Sequence, residues 1–112
     1  ILRHAQEEAR MTRAAVLGAG AWGTTFAAVL ADAGCEVTLW GRDTDVVEGI
    51  NTSRANERFL PGVVVHDAVR ATTNAEDALR GADVVAVALP AQHVRDIVGP
   101  WAGLVPQGAV VA

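Results

Sequence analysis

Arg13-Ala14-Ala15-Val16-Leu17-Gly18-Ala19-Gly20-Ala21-Trp22-Gly23 is a short apolar run that leads directly into a Gly18-x-Gly20-x-x-Gly23 turn. In a chain with 11 glycines that spacing arises easily by chance, and its flanks give it meaning. Ala14 to Leu17 reads as a short buried strand, and beyond Gly23 the residues Phe26, Val29, Leu30 and Ala33 recur at i, i+3, i+4, i+7, one face of a helix that Gly34 ends. A glycine turn between a strand and a helix is the dinucleotide-binding fingerprint: Gly18 for the tight turn, Gly20 for close approach of a pyrophosphate, Gly23 for close packing of helix on sheet. The helix N-terminus then offers unpaired N–H groups and the positive end of its dipole to an anion. The alternative is a glycine-rich strand-to-helix turn that holds no ligand.

Outward from this turn the chain alternates. Glu36 to Trp40 reads as a second strand, closed by Gly41-Arg42-Asp43, and Asp43 or Thr44 can cap a short helix over Asp45 to Asn51. Thr52 to Gly62, with Pro61 and Gly62, reads as a loop, followed by a brief extended piece at Val63 to Val65. Val69 to Thr72 is a less hydrophobic strand suited to a sheet edge. Thr73-Asn74-Ala75-Glu76 matches a capping box opening a helix to about Arg80, with Gly81 at its end. Asp83 to Leu89 is the most continuous apolar run, as a central parallel strand requires. Pro90 opens a further helix lined by Val94, Ile97, Val98 and Trp101, and Pro106-Gln107-Gly108 turns into a last strand at Ala109 to Ala112. The pattern predicts an α/β fold, a doubly wound parallel sheet of Rossmann type with order 3-2-1-4-5, and a ligand at the carboxyl ends of strands one and four. Residues 1–11 read as an N-terminal extension and residues 12–112 as the NAD(P)-binding part.

Composition narrows the function. The 112 residues are 51% apolar, with a formal net charge of −4 and scattered basic residues, so no nucleic-acid or membrane-binding patch is indicated. No apolar run approaches the roughly 18 to 20 residues that span a bilayer, the first ten residues lack a signal-peptide core, and a cytoplasmic protein is expected. Cys35 has no internal disulfide partner and reads as a small buried thiol. All nine basic residues are arginine, so chemistry that needs lysine cannot be completed within this sequence.

The end of strand two bears on which dinucleotide binds. An acidic residue about 20 positions past the glycines accepts the ribose hydroxyls in NAD-binding versions. Here Trp40-Gly41-Arg42 stands at that point, with no carboxylate to repel a 2′-phosphate and a guanidinium able to grip it, which favours NADP(H) with NAD(H) as the second choice. Two alternatives remain open: Arg42 as a solvated arginine paired with Asp43 or Asp45, and Asp43, one register away, as the ribose-binding acid of an NAD enzyme.

Gly18-Ala19-Gly20-Ala21-Trp22-Gly23-Thr24, Val37-Thr38-Leu39-Trp40-Gly41-Arg42, Asn51 and Asn56 with Phe59-Leu60-Pro61-Gly62, and Ala82-Asp83-Val84-Val85 through Ala88-Leu89-Pro90 together resemble the bacterial NAD(P)-dependent glycerol-3-phosphate dehydrogenases. The resemblance implies interconversion of dihydroxyacetone phosphate and sn-glycerol 3-phosphate for glycerophospholipid synthesis, and it admits a homodimer of the full-length enzyme. It makes Ala21, Trp22 and Arg42 cofactor contacts beside Gly18, Gly20 and Gly23. Many family members carry Ser at the position of Ala21, so a hydroxyl contact is lost and the backbone N–H kept. The family's Lys-Gly after the last strand and a second lysine in an all-helical domain have no counterpart here, so the chain resembles the N-terminal part of the enzyme and no catalytic residue is assigned. His93 and His66 are the proton-donor candidates by residue type, and neither is chosen. The competing functions are an NADPH reductase of ketopantoate reductase-like or 6-phosphogluconate dehydrogenase-like type, against which the Phe59-Leu60-Pro61-Gly62 loop argues, and a non-catalytic NAD(P)H-sensing module.

Overall fold

The computed structural model describes residues 11–89, 99–104 and 110–111. The chain runs β1 (Arg13–Leu17), α1 (Ala21–Asp32), β2 (Glu36–Trp40), α2 (Thr44–Ser53), β3 (Ala55–Asn56), β4 (Leu60–Val64), β5 (Val69–Thr72), α3 (Ala75–Leu79) and β6 (Val84–Val87), then a 3-10 helix over Gly99–Leu104 and β7 (Val110–Val111). Five strands form one sheet in the order β5-β2-β1-β6-β7, every pair parallel. With the β3-β4 hairpin set aside, this is the 3-2-1-4-5 order expected from the sequence. The helix expected from Pro90 falls mostly on residues 90–98, which lie outside the described residues, as do residues 1–10.

Strand periodicity sorts the core onto the two faces of the sheet. Ala14, Val16, Val37, Leu39, Val69 and Ala71 point to the face covered by α1 and α2, where Ala27, Ala31, Val46, Val47 and Ile50 meet them. Ala15, Leu17, Trp40 and Val85 point to the other face, against Ala75, Ala78 and Leu79 of α3. β1 is therefore buried on both sides, as its unbroken apolar run requires.

The face that α1 buries is not the one its large residues mark. Gly23, Thr24, Ala27 and Ala31 are buried, whereas Val29 is 56% exposed and Ala33 lies on the surface. A Cβ on Gly23 would sit 1.8 Å from the Gly18 carbonyl oxygen. An axis held that close leaves room beneath it only for small side chains, so Phe26 and Leu30 are displaced to the flank, where they still pack on the core. The stretch read as a loop also holds structure: α2 continues to Ser53, and β3 and β4 pair antiparallel. Alternation could not reveal β4, because nearly all of it is exposed. Arg54 turns the chain between α2 and β3 in the left-handed region at φ 54°, unusual for a residue with a side chain. Its guanidinium group secures the turn by donating to the carbonyls of Val65, His66 and Val69. Beside it, the Asn51 amide accepts from the Ala71 N–H and donates to the Ala71 carbonyl, both at 2.8 Å, on the outer side of β5.

Of the two side-chain caps that the sequence suggests, one forms as expected and the other at a different residue. Asp43 caps α2, accepting from the N–H groups of Asp45 and Val46. The capping box at Thr73 and Glu76 does not form; Asn74, one position later, accepts from the Asp77 N–H at 3.1 Å. The Asp77 side chain meets Arg70 of β5, which reaches it at 2.7 Å with one guanidinium nitrogen and 3.4 Å with another. Cys35 is free and only partly buried, packed against the core.

Hydrogen bonding from Arg70 holds the Asp77 carboxyl below its ordinary value of 3.8. A depressed carboxylate stabilises the fold above the unfolded-state pKa, and that contribution is lost as pH falls through the folded value. Asp77→Asn is therefore expected to lower stability at pH 7 by no more than about 1 kcal/mol, because the pair is half open to solvent. Urea unfolding of parent and variant at pH 7 and pH 3 checks it: the gap present at pH 7 should shrink in acid.

Candidate dinucleotide site

The glycine turn lies where β1 ends, and hydrogen bonds to both neighbouring strands fix it. The Gly18 N–H donates to the Trp40 carbonyl at 2.8 Å, and the Ala88 N–H donates to the Leu17 carbonyl at 2.8 Å. Gly18 adopts φ +123°, and a Cβ there would lie 2.4 Å from the Ala88 oxygen, so both conformation and space demand glycine. Gly23 is required by its contact with Gly18 itself. Gly20 differs from both: it has an ordinary φ of −74°, and a Cβ there would meet nothing within 4 Å. Nothing in the fold asks for glycine at position 20. The space its missing side chain leaves is open, as a site for an incoming group must be.

Gly20 is the N-cap of α1, the 12-residue helix that starts at the turn. No side chain caps that end, and the first turn holds no acidic residue. Its leading N–H groups thus have no partner within the helix, and the helix dipole adds partial positive charge at the same point.

A cavity of about 480 Å³ opens in front of this helix end, at the carboxyl ends of β1, β2 and β6. Gly18 to Gly20 form one wall, Gly41 and Arg42 another, and Arg58 with Phe59 a third. Ala88 and Leu89 line the cavity at the end of β6, and a neighbouring cavity of about 420 Å³ lies between Leu89 and Trp22. Trp22 is 63% exposed, stacked on Phe26 with ring centroids 5.2 Å apart. Ala21 opens α1 and presents its backbone at the same end. The glycines, Ala21 and Arg42 are thus gathered around one end of the sheet, with Trp22 on its flank.

Gly41 owes its identity to packing. A Cβ there would lie 2.7 Å from that of Ala19, so the tip of β2 must be glycine for the turn to fit against it. Asp43 accepts two backbone N–H groups of α2 through one oxygen and binds Arg58 through the other. Among the described residues Arg42 has no carboxylate partner, and its side chain is exposed beside the cavity.

Arg58 and Phe59 are site residues that pattern reading passed over. The Arg58 guanidinium lies 5.0 Å from the centre of the Phe59 ring. Their loop is carried to the cavity by the β3-β4 hairpin, a tertiary placement without a local signal beyond the Phe59-Leu60-Pro61-Gly62 string. His66 is placed elsewhere. Its Nε2 lies 3.4 Å from Asp32 at the far end of α1, roughly 15 to 18 Å from the turn at 1.5 Å per residue. His93 lies outside the described residues. Among the described residues no cluster of His, Cys, Asp and Glu could hold a metal ion, and no helix is long and apolar enough to cross a membrane.

The family model for the N-terminus of NAD-dependent glycerol-3-phosphate dehydrogenase matches residues 13–112. A glycerol-3-phosphate dehydrogenase [NAD(P)+] of Streptomyces griseus is 56% identical over 90 residues, covering 80% of this chain and 27% of that protein. One from Mycobacterium tuberculosis is 52% identical over 97 residues, 87% of this chain and 29% of the other. The crystal structure of glycerol-3-phosphate dehydrogenase from Coxiella burnetii superimposes with a TM-score of 0.82 at 27% identity, over 90% of this chain and 31% of that one. The chain thus spans less than a third of the length of these relatives.

The contrast between the glycines makes a test. Gly20→Val is expected to leave the circular dichroism spectrum and melting temperature close to the parent's while abolishing dinucleotide binding in isothermal titration. Gly23→Val, forced against the Gly18 carbonyl, is expected to unfold the chain or lower its stability by more than about 3 kcal/mol.

Proposed function

The chain belongs to the NAD-dependent glycerol-3-phosphate dehydrogenase family, and we propose that it is the NAD(P)H-binding part of a cytoplasmic enzyme that interconverts dihydroxyacetone phosphate and sn-glycerol 3-phosphate. The observation that carries this reading is the uncapped N-terminus of α1 at a glycine whose absent side chain leaves open space before the cavity. In this reading the backbone of Gly18, Gly20, Ala21 and Gly23 holds the pyrophosphate, Arg42 meets the adenosine ribose, and Trp22 flanks the nicotinamide half. Arg58 and Phe59 would border the adenine. The dinucleotide supplies the hydride for the substrate carbonyl, and the chain's share is to bind and orient it.

NADP(H) is the favoured cofactor. Arg42 has no carboxylate partner among the described residues, and Asp43, which would repel a 2′-phosphate if turned to the ribose, is engaged by the α2 cap and Arg58. Arg42→Ala is expected to weaken NADPH binding by about 1.5 to 3 kcal/mol, the range for a charge-assisted hydrogen bond, and to leave NADH nearly unchanged. Titration with both cofactors checks the contrast, and an equal loss for both would return Arg42 to a role in the fold.

Reduction of a ketone also needs a positioned acid or cation at the carbonyl oxygen, a term worth about 10² to 10³ in rate. The described cavity offers the two arginines as cations, Arg58 being paired with Asp43, and the sequence contains no lysine. The 112-residue chain is therefore expected to bind NADPH without reducing dihydroxyacetone phosphate. Absorbance at the nicotinamide band, followed beside a longer chain that includes a helical substrate domain, checks this: comparable rates in the two would contradict it.

A further inference from the structure

On the premise that the glycine turn receives a pyrophosphate, we propose that Asn56 is a positioning residue that aims the Gly20 N–H at that group. Asn56 belongs to β3, more than thirty residues along the chain from the turn, and is 2% exposed. Both of its amide protons are engaged, one by the Ala19 carbonyl at 2.9 Å and one by the Thr24 hydroxyl oxygen at 2.9 Å. Its own oxygen accepts from the Phe59 N–H at 3.3 Å. Thr24, 1% exposed, turns its hydroxyl back toward the same Ala19 oxygen at 3.4 Å.

The peptide between Ala19 and Gly20 is therefore held from its buried side. A trans peptide is planar, with its C=O and N–H pointing in opposite directions. Drawing the Ala19 carbonyl inward to Asn56 and Thr24 turns the Gly20 N–H outward, on the side where Gly20 lines the cavity. Without Asn56 the carbonyl, on a residue only 8% exposed, would keep one weak partner. The plane would then be free to rotate toward another donor and take the Gly20 N–H with it. Because Asn56 also holds the Phe59 backbone, one buried amide sets both the turn and the opposite wall of the cavity.

Asn56→Leu keeps the side-chain size and removes both donors without adding a charge. Parent and variant are titrated calorimetrically with NADPH and with adenosine 2′-monophosphate, which has the 2′-phosphate but no pyrophosphate. The expected result is a loss of about tenfold or more for NADPH with adenosine 2′-monophosphate unchanged within about twofold. Equal losses for both ligands would show a residue that serves the fold alone, and no loss would show that the turn needs no such support; either overturns the proposal. If the variant does not fold, the parent decides through its ¹H–¹⁵N spectrum under titration with inorganic pyrophosphate. A downfield shift of the Gly20 amide larger than those of Ala14 to Leu17 supports the proposal, and a Gly20 amide that stays still overturns it. A parent chain that binds no NADPH would overturn the dinucleotide reading and this inference together, whereas a binding parent with equal losses in the variant overturns this inference alone.

Discussion

The closeness of α1 to the strand that feeds it governs this domain. Gly23 rests on the Gly18 carbonyl, and Gly18 fits under the Ala88 backbone, so helix and turn meet backbone to backbone, with the Ala88 methyl and the Leu89 side chain close by at the end of β6. The sheet-facing side of α1 is consequently built of Gly23, Thr24, Ala27 and Ala31, and its bulkier apolar residues lie to the side. The same approach carries the helix end to the carboxyl edge of the sheet, beside the tips of β2 and β6. Packing and site geometry are one constraint here, since a helix moved outward to admit larger side chains would also withdraw its N-terminus from the cavity.

A second set of contacts builds the cavity's far wall. The β3-β4 hairpin adds little to the main core, but it is fastened at both ends. Asn56 ties it to the glycine turn and Arg54 ties its base to the carbonyls of Val65, His66 and Val69. All of these are polar contacts, and among the described residues none leaves a buried side-chain nitrogen or oxygen unsatisfied. Arg58 and Phe59 thus stand opposite the glycines because buried hydrogen bonds hold their loop, with apolar burial making a smaller contribution.

Sheet order and the position of the cavity were legible because they follow from alternation and the glycine spacing, both local properties of the chain. The buried face of α1 was not. Periodicity ranks residues by hydrophobicity, whereas the close approach at Gly23 selects for size, and the two criteria pick different sides of the helix. Of the hairpin only an extended piece at Val63 to Val65 was legible, because exposed strands carry no alternating signal that would give β4 its full length or its pairing with β3, and the α3 cap was missed because Thr73 and Asn74 compete for one role that only geometry decides. Of the site residues, Gly18, Gly20 and Gly23 could be read from spacing. Arg58 and Phe59 reach the cavity through Asn56, a contact between segments more than thirty residues apart that no window of sequence displays.

Asn51 lies at the sheet's outer boundary, against Ala71 of β5. β5 is an edge strand, and an edge ordinarily presents unpaired N–H and C=O groups to any extended chain that drifts alongside. At Ala71 both groups are already taken by the Asn51 amide, whose donor and acceptor imitate those of a neighbouring strand, and at Val69 the carbonyl is taken by Arg54. A single side chain thus serves as a one-residue counterfeit of a sixth strand. With the Val69 carbonyl also occupied, that stretch of the border presents fewer open backbone groups to an added strand.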